Sequence, residues 1–151
     1  MNVVLACVCC HVLVARVVAS PWWVPDLTLV GLLLGVMRRP DRWLECAVLA
    51  GLTVPVWMVR FVEPQLGAFL AFAWITQRLV HRWDVTDVRV LGLLGVLASA
   101  ITTGGALWFE GIWSWPIAGL AFVRIGLTGL AVPLLDRLRG HRARVWAAGS
   151  G

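Results

Sequence analysis

The sequence contains no lysine and no tyrosine, and only 14% of its 151 residues are charged. An average soluble domain has about 25% charged residues and about 45–50% apolar ones. Here the hydrophobic residues reach 60% and the mean hydropathy is +0.86. Because a water-facing surface needs charge, this composition excludes an ordinary soluble domain and indicates that much of the surface faces lipid. The length allows a single domain.

The sequence also lacks the motifs of common catalytic sites. It contains no Walker phosphate loop, no His-Glu-x-x-His zinc motif, no Gly-x-Ser-x-Gly turn and no paired carboxylates. His11 has no second histidine or acid three or four positions later, so we do not expect it to bind a metal. We therefore expect no enzymatic activity and no cofactor.

The four cysteines do not have the spacing of a metal site. A zinc or redox centre uses paired Cys-x-x-Cys motifs, whereas these residues form one tight group and one distant position. All of them lie in or beside apolar runs, which favours a role as small buried hydrophobic residues. They are Cys7, Cys9, Cys10 and Cys46.

The net charge of +5 is carried by arginine alone. A nucleic-acid-binding domain gathers its basic residues on one polar face. In this sequence all the arginines except Arg16 and Arg124 lie in the segments that flank the apolar runs. The high isoelectric point is therefore not taken as a sign of a nucleic-acid partner.

Six apolar runs divide the chain, and several approach the roughly 20 residues that cross a bilayer as a helix. The predicted fold is an all-α polytopic membrane protein in which residues 1–139 form a single six-helix domain. Residues 140–151 are a tail, basic and then small and polar, that we expect to fray. The runs are 2–20, 22–37, 43–59, 61–80, 88–109 and 116–135.

The second run is the shortest. Its uncharged core, 27–37, is under about 20 Å long as a helix, so it spans the bilayer only with Trp22 included, or it is buried among other helices. Gly31 and Gly35 form a Gly-x-x-x-Gly motif, which allows close approach of a second helix. Both are candidate contacts for helix packing or for a partner.

Arginine alternates between the connections. The segments 38–42, 78–89 and 136–151 hold three, three and four arginines, whereas 20–26, 60–64 and 110–115 hold none, one and none. The positive-inside rule then places the first set, and both termini, in the cytoplasm. The basic anchors on that side are predicted to be Arg38, Arg39, Arg42, Arg78, Arg82, Arg137 and Arg139.

Arg124 interrupts the middle of the sixth run. A charge at the centre of a membrane helix costs about 2.5–3.5 kcal/mol on insertion scales, so its side chain should face protein or water. One interpretation is a gate, a ligand counter-ion or a partner contact. The other is a structural ion pair with Glu45, Glu63 or Glu110, or a side chain that reaches the interface. Arg16, near the end of the first run, is expected to reach the interface.

The order of these features resembles a known family, the rod shape-determining protein MreD. The matching segments are P-D-L-T-L-V-G-L-L-L-G-V-M-R-R-P-D-R at 25–42, the run 43–59 with Gly51, E-P-Q-L-G-A-F-L-A-F at 63–72, and P-L-L-D-R-L-R at 133–139. Family members commonly carry an acid toward the end of the third helix, at about 58–60. This chain has Met-Val-Arg there, so no role is transferred to that position.

The resemblance implies a non-catalytic scaffold subunit of the cell-elongation machinery that builds peptidoglycan at the bacterial inner membrane. Its partner would be MreC, and through it RodA, a class B penicillin-binding transpeptidase and MreB. The family's fold is thought to be similar to the substrate-binding subunits of energy-coupling-factor transporters. A substrate-binding or transport subunit for a small molecule therefore remains the alternative.

Overall fold

The computed structural model describes residues 2–17, 24–52, 62–80, 82, 87–111 and 114–148. Within these residues the regular secondary structure is entirely helical. We number the α-helices in chain order, with a short 3-10 turn at Pro40–Arg42 between the second and third. They are α1 Asn2–Val17, α2 Leu27–Arg38, α3 Trp43–Gly51, α4 Val62–Val80, α5 Val88–Glu110 and α6 Trp115–Ala148.

The limits of α2 follow from its flanking residues. The Asp26 side chain accepts a hydrogen bond from the Leu29 N–H at 3.0 Å, which satisfies one of the free amides at the helix start. The helix ends at Arg38 because Pro40 disfavours a helical conformation at the residue before it. Between these limits, the nine residues from Thr28 to Val36 are all buried.

Helix α2 lies at the centre of the bundle and contacts each of the other five described helices. At about 18 Å it is too short to cross a bilayer alone. The structure therefore places this run in the interior, which is one of the two arrangements that its length predicted. Helices α5 and α6 make the most extensive contact and pack closely at Gly95 and Gly129, where an added Cβ on Gly95 would lie 3.2 Å from the Gly129 Cα.

Two helices are long and apolar enough to cross a membrane, Arg89–Phe109 within α5 and Trp115–Leu138 within α6. The helices of the first two runs are apolar but shorter. The third run is helical to Gly51, and its residues 53–59 lie outside the described residues. Six membrane spans therefore remain a prediction.

The last helix differs from the prediction for the tail. We expected residues 140–151 to fray, but α6 continues to Ala148 without a break at Leu135 or Asp136. Its 34 residues would extend about 51 Å, well beyond the thickness of a bilayer core. Arginine and alanine have high helix propensity, which favours continuation of the helix where the apolar sequence stops.

Candidate functional site

A buried ion pair joins α2 to α6. The Asp26 carboxylate lies 3.6 Å from the Arg124 guanidinium, and their side chains are only 8% and 20% exposed. The Arg124 side chain therefore faces protein and is paired with an opposite charge, which offsets the cost of placing a charge in the middle of an apolar helix. The acid is not one of those expected from the sequence: Glu45 pairs instead with Arg42 at 3.6 Å. The side chains of Glu63 and Glu110 lie outside the described residues.

Thr128 completes the connection between the two helices. Its hydroxyl donates a hydrogen bond to the Arg124 carbonyl at 2.8 Å and accepts one from the Asp26 N–H at 3.0 Å. The threonine is fully buried, so both polar bonds form away from solvent. Hydrogen bonds and an ion pair in one buried group favour a single arrangement of the helices that they join.

His11 brings the first helix into the same group. Its Nδ1 accepts a hydrogen bond from the Leu27 N–H at 3.2 Å, and its side chain is buried. His11 is thus a hydrogen-bonded interior residue. We call Asp26, Arg124, Thr128 and His11 the polar centre, which joins α1, α2 and α6.

The polar centre has the chemistry of a structural junction. Its two formal charges oppose each other, so the Arg124 charge is already met by a carboxylate. The Arg124 Nε atom is buried and has no hydrogen-bond partner among the described residues. In the described part of the chain, no group of three or more histidine, cysteine, aspartate or glutamate residues is arranged to hold a metal ion.

A second ion pair joins the other end of α2 to α6. Arg38 lies 3.0 Å from Asp136, and both side chains are 37% exposed. The residues of each pair are 98 positions apart in the sequence, 26 with 124 and 38 with 136. The two helices therefore run parallel and in one register over about 18 Å. The charges are reversed between the pairs, since α2 supplies the acid at one end and the base at the other.

Gly31 and Gly35 face α1. A Cβ on Gly31 would lie 2.7 Å from the Cys7 Cβ, and one on Gly35 would lie 2.5 Å from the Val4 Cγ2. Cys46 of α3 also approaches Gly35. The motif therefore serves packing within the chain, and its surface is already occupied. Of the two roles that the sequence left open for these glycines, helix packing and a partner contact, the observed contacts are those of helix packing.

Side chains at the predicted basic anchors come together at one end of the bundle, which we call the arginine end. The Arg38–Asp136 bond places the end of α2 beside α6, and the 3-10 turn with Arg42 contacts α4 as well as α3. The anchors with described side chains are all exposed, and Arg78 lies over the Trp74 ring at 5.5 Å. The side chains of Arg139 and Arg16 lie outside the described residues.

The cysteines divide between the interior and the surface. Cys46 is buried and Cys7 is half-buried, as the sequence predicted for small hydrophobic residues. Cys9 and Cys10 are exposed on the outer face of α1, so the prediction of burial is wrong for these two.

Comparison with family models, with curated proteins and with solved structures gives no match to this chain. The functional interpretation therefore depends on the residues and their arrangement.

The sequence did not indicate Asp26 or Thr128 as members of the site. Asp26 stood in a turn before an apolar run, and Thr128 was one of many small residues in the sixth run. Two features of the sequence could have indicated these residues. Asp26 is the only acid among the first 40 residues, and Thr128 follows Arg124 by one helical turn.

Proposed function

We propose that the chain is a multi-pass membrane protein whose six apolar runs lie in the bilayer, with the arginine end in the cytoplasm. The observation that carries this proposal is the distribution of polarity. A soluble protein buries apolar residues and exposes few large apolar patches. This bundle encloses a polar group and exposes large apolar side chains along most of its helices.

The interior supplies the first half of that observation. Buried polar side chains occur on five of the described helices or at their caps. An unsatisfied polar group in lipid costs several kcal/mol, so burial in the protein interior is the favourable position for them. The buried polar or charged residues are His11, Asp26, Thr28, Thr76, Ser99, Thr102, Thr103 and Thr128.

The surface supplies the second half. On α6, Phe122 is 74% exposed and Leu130 is 69% exposed, and on α5 Ile101 is 59% exposed. Only 22% of the apolar segment of α6 is buried, whereas the core helix of a soluble protein would be mostly buried. Such a surface is stable in contact with lipid. Helix α2 is too short to span the bilayer, but it does not need to do so because the other helices enclose it.

We further propose that the protein is a non-catalytic scaffold of the bacterial cell-elongation complex in the inner membrane, paired with MreC. This step rests on the family resemblance of the segments 25–42, 63–72 and 133–139. The polar centre supports this step. Asp26, Arg124 and Thr128 bond to one another, and within the described residues these contacts do not line an open cleft. The glycines Gly31 and Gly35 are occupied, but the outer faces of α5 and α6 expose large apolar side chains that could receive a partner's membrane helix.

The test is co-purification with MreC of the same cell. Both proteins are expressed at native levels, the membranes are dissolved in mild detergent, and a tag on this chain is used for capture. The proposal expects MreC in a fixed ratio to the chain. An MreC variant without its membrane helix is the matched control, and it should be absent from the captured material. Absence of full-length MreC from the captured material, in a cell that has it, would overturn the proposal.

The alternative is a substrate-binding or transport subunit of the energy-coupling-factor type, in which Arg124 meets an anionic group. The observation that favours it is that the buried Arg124 Nε has no hydrogen-bond partner within the described segments. The Asp26 carboxylate at 3.6 Å weighs against it, because an anion at Arg124 would have to displace that acid. Native mass spectrometry of the purified protein separates the two, since the alternative expects a bound small molecule that is lost in the variant Arg124→Gln.

A further inference from the structure

We propose that the arginine end binds the headgroups of anionic phospholipids. The binding groups are exposed arginines on α4, α5 and α6, each next to exposed apolar residues on the same face of its helix. This inference rests on the proposed location in a membrane and adds a partner of defined chemistry. The surface is defined by Arg78, Arg89 and Arg137 together with the exposed apolar residues next to them on the same helices.

Helix α5 shows the arrangement at its fullest. Arg89 is exposed near its start, and Leu93, Leu97 and Ile101 follow at four-residue intervals with exposures of 58%, 49% and 59%. Residues four apart lie on one face of a helix. The stripe from Arg89 to Ile101 is about 18 Å long, close to the roughly 15 Å thickness of one leaflet's hydrocarbon. A lipid chain can therefore lie along the stripe with its phosphate at the arginine.

Helices α4 and α6 repeat the pattern in the opposite chain direction. Trp74 is 48% exposed one turn before Arg78, and the guanidinium lies over its ring at 5.5 Å. Leu134 is 58% exposed one turn before the exposed Arg137, and Leu130 precedes it by a further turn. On all three helices, the apolar residues lie on the side of the arginine that faces the middle of the bundle.

The charges of these arginines are available to a ligand. Arg38 and Arg42 at the same end form ion pairs with Asp136 and Glu45. In contrast, the guanidinium groups of the three arginines form no ion pair with any described residue. Two of the neighbouring acids are engaged by other groups: Asp136 bonds to Arg38, and the Asp87 carboxylate accepts the backbone N–H of Arg89 at the helix cap.

The combination of an arginine without an ion-pair partner among the described residues and an adjacent apolar stripe favours a lipid phosphate over other anions. A guanidinium group binds phosphate oxygens in a two-bond geometry and is more weakly hydrated than an ammonium group. Free phosphate has no apolar part, so the stripes beside the arginines would be irrelevant to it. Basic residues next to the cytoplasmic leaflet are attracted to its anionic lipids, and the effect corresponds to about a fivefold change in affinity for each arginine.

The test uses the full chain reconstituted in vesicles of phosphatidylcholine, into which brominated phosphatidylglycerol or brominated phosphatidylcholine is added. Bromine quenches tryptophan fluorescence, and the chain contains ten tryptophans. The ratio of quenching by the two lipids gives the relative affinity. We expect phosphatidylglycerol to be preferred severalfold at low salt, with the preference declining as salt rises. The variants Arg89→Gln and Arg137→Gln should each lower the preference, and the double variant should bring it close to one.

Arg42→Gln is the matched control, because Arg42 lies at the same end but is paired with Glu45. It should leave most of the preference intact. Unchanged quenching by brominated phosphatidylcholine shows that a variant is still folded and inserted. Equal quenching by both lipids in the native protein, or displacement of phosphatidylglycerol by inorganic phosphate beyond the effect of chloride at equal ionic strength, would overturn the inference. Quenching by neither lipid would instead refute the proposed location in the membrane.

Discussion

Asp26 and Arg124 form a buried ion pair at one end of α2, and the pair is repeated with reversed charges 12 residues further along both helices as Arg38 and Asp136. The two contacts hold α2 parallel to α6 at a single register. A shift of either helix by one turn would separate both pairs at once. The buried pair is also desolvated, so its loss should have the larger effect.

The substitution Arg124→Gln removes one charge of the buried pair. The Asp26 carboxylate would then remain in the interior without a counter-charge, and breaking a buried pair in this way destabilises a protein by about 3–5 kcal/mol. We expect a correspondingly lower midpoint for unfolding in mixed detergent micelles, measured by circular dichroism. Arg42→Gln is the control, because its partner Glu45 is 53% exposed and such surface pairs contribute about 0–1 kcal/mol.

The double variant Asp26→Asn with Arg124→Gln separates charge from packing. Asparagine caps a helix as well as aspartate does, so the hydrogen bond to the Leu29 N–H is retained while the charge is removed. The double variant should lose much less stability than the sum of the two single variants. Losses that simply add would show that the two residues are not coupled.

The parallel register of α2 and α6 predicts specific cross-links. In a chain whose four cysteines are replaced by alanine, Arg38→Cys combined with Asp136→Cys should be joined by a short bis-maleimide cross-linker, which spans the gap left by the shortened side chains. The charged groups of the native residues at these positions are 3.0 Å apart. Arg38→Cys combined with Arg124→Cys should not cross-link, because the second position lies about 18 Å further along the helix. Gel mobility reports the result, and the reverse pattern would mean an antiparallel arrangement.

The sequence predicted the helices well where the apolar pattern had clear boundaries. The limits of α4 and α5 agree to within a residue or two with the runs 61–80 and 88–109, and the interior position of α2 is one of the two arrangements that its length allowed. The helical continuation of α6 to Ala148 was not predicted. Hydropathy marks where an apolar run stops, but a basic helix can continue past that point because propensity does not depend on burial.

The polar centre was only half predicted. An interior arginine requires a partner, so the pairing of Arg124 could be expected, but the identity of that partner depends on which helices are neighbours. Apolar periodicity does not state that α2 lies beside α6, and the three glutamates proposed as partners lie elsewhere in the chain. Asp26 also serves as a helix cap, and that local role concealed its long-range contact.

Gly31 and Gly35 should tolerate no side chain. An alanine Cβ at Gly31 would lie 2.7 Å from the Cys7 Cβ and 3.4 Å from the Val4 Cα, so α1 and α2 would have to separate. Overpacking of this kind costs about 1–3 kcal/mol. We expect Gly31→Ala to lower the unfolding midpoint and Gly31→Leu to lower it further.

Gly126→Ala is the matched control on α6, where an added Cβ meets nothing within 4 Å. Alanine is more favourable than glycine in a helix by about 1 kcal/mol, so this variant should be unchanged or slightly more stable. Equal effects of Gly31→Ala and Gly126→Ala would argue against close packing of α1 on α2. The comparison uses the same unfolding assay in micelles.

The orientation of the bundle predicts which ends are reached from each side of the membrane. Arg39 is exposed at the arginine end, and Ser114 lies in the connection between α5 and α6, at the opposite end. In the cysteine-free chain, Arg39→Cys should be protected from a membrane-impermeant maleimide in intact spheroplasts and become labelled after lysis, because the positive-inside rule places that end in the cytoplasm. Ser114→Cys should be labelled in both conditions. Labelling of the first variant but not the second in intact spheroplasts would invert the topology, and with it the leaflet in which the arginines meet lipid.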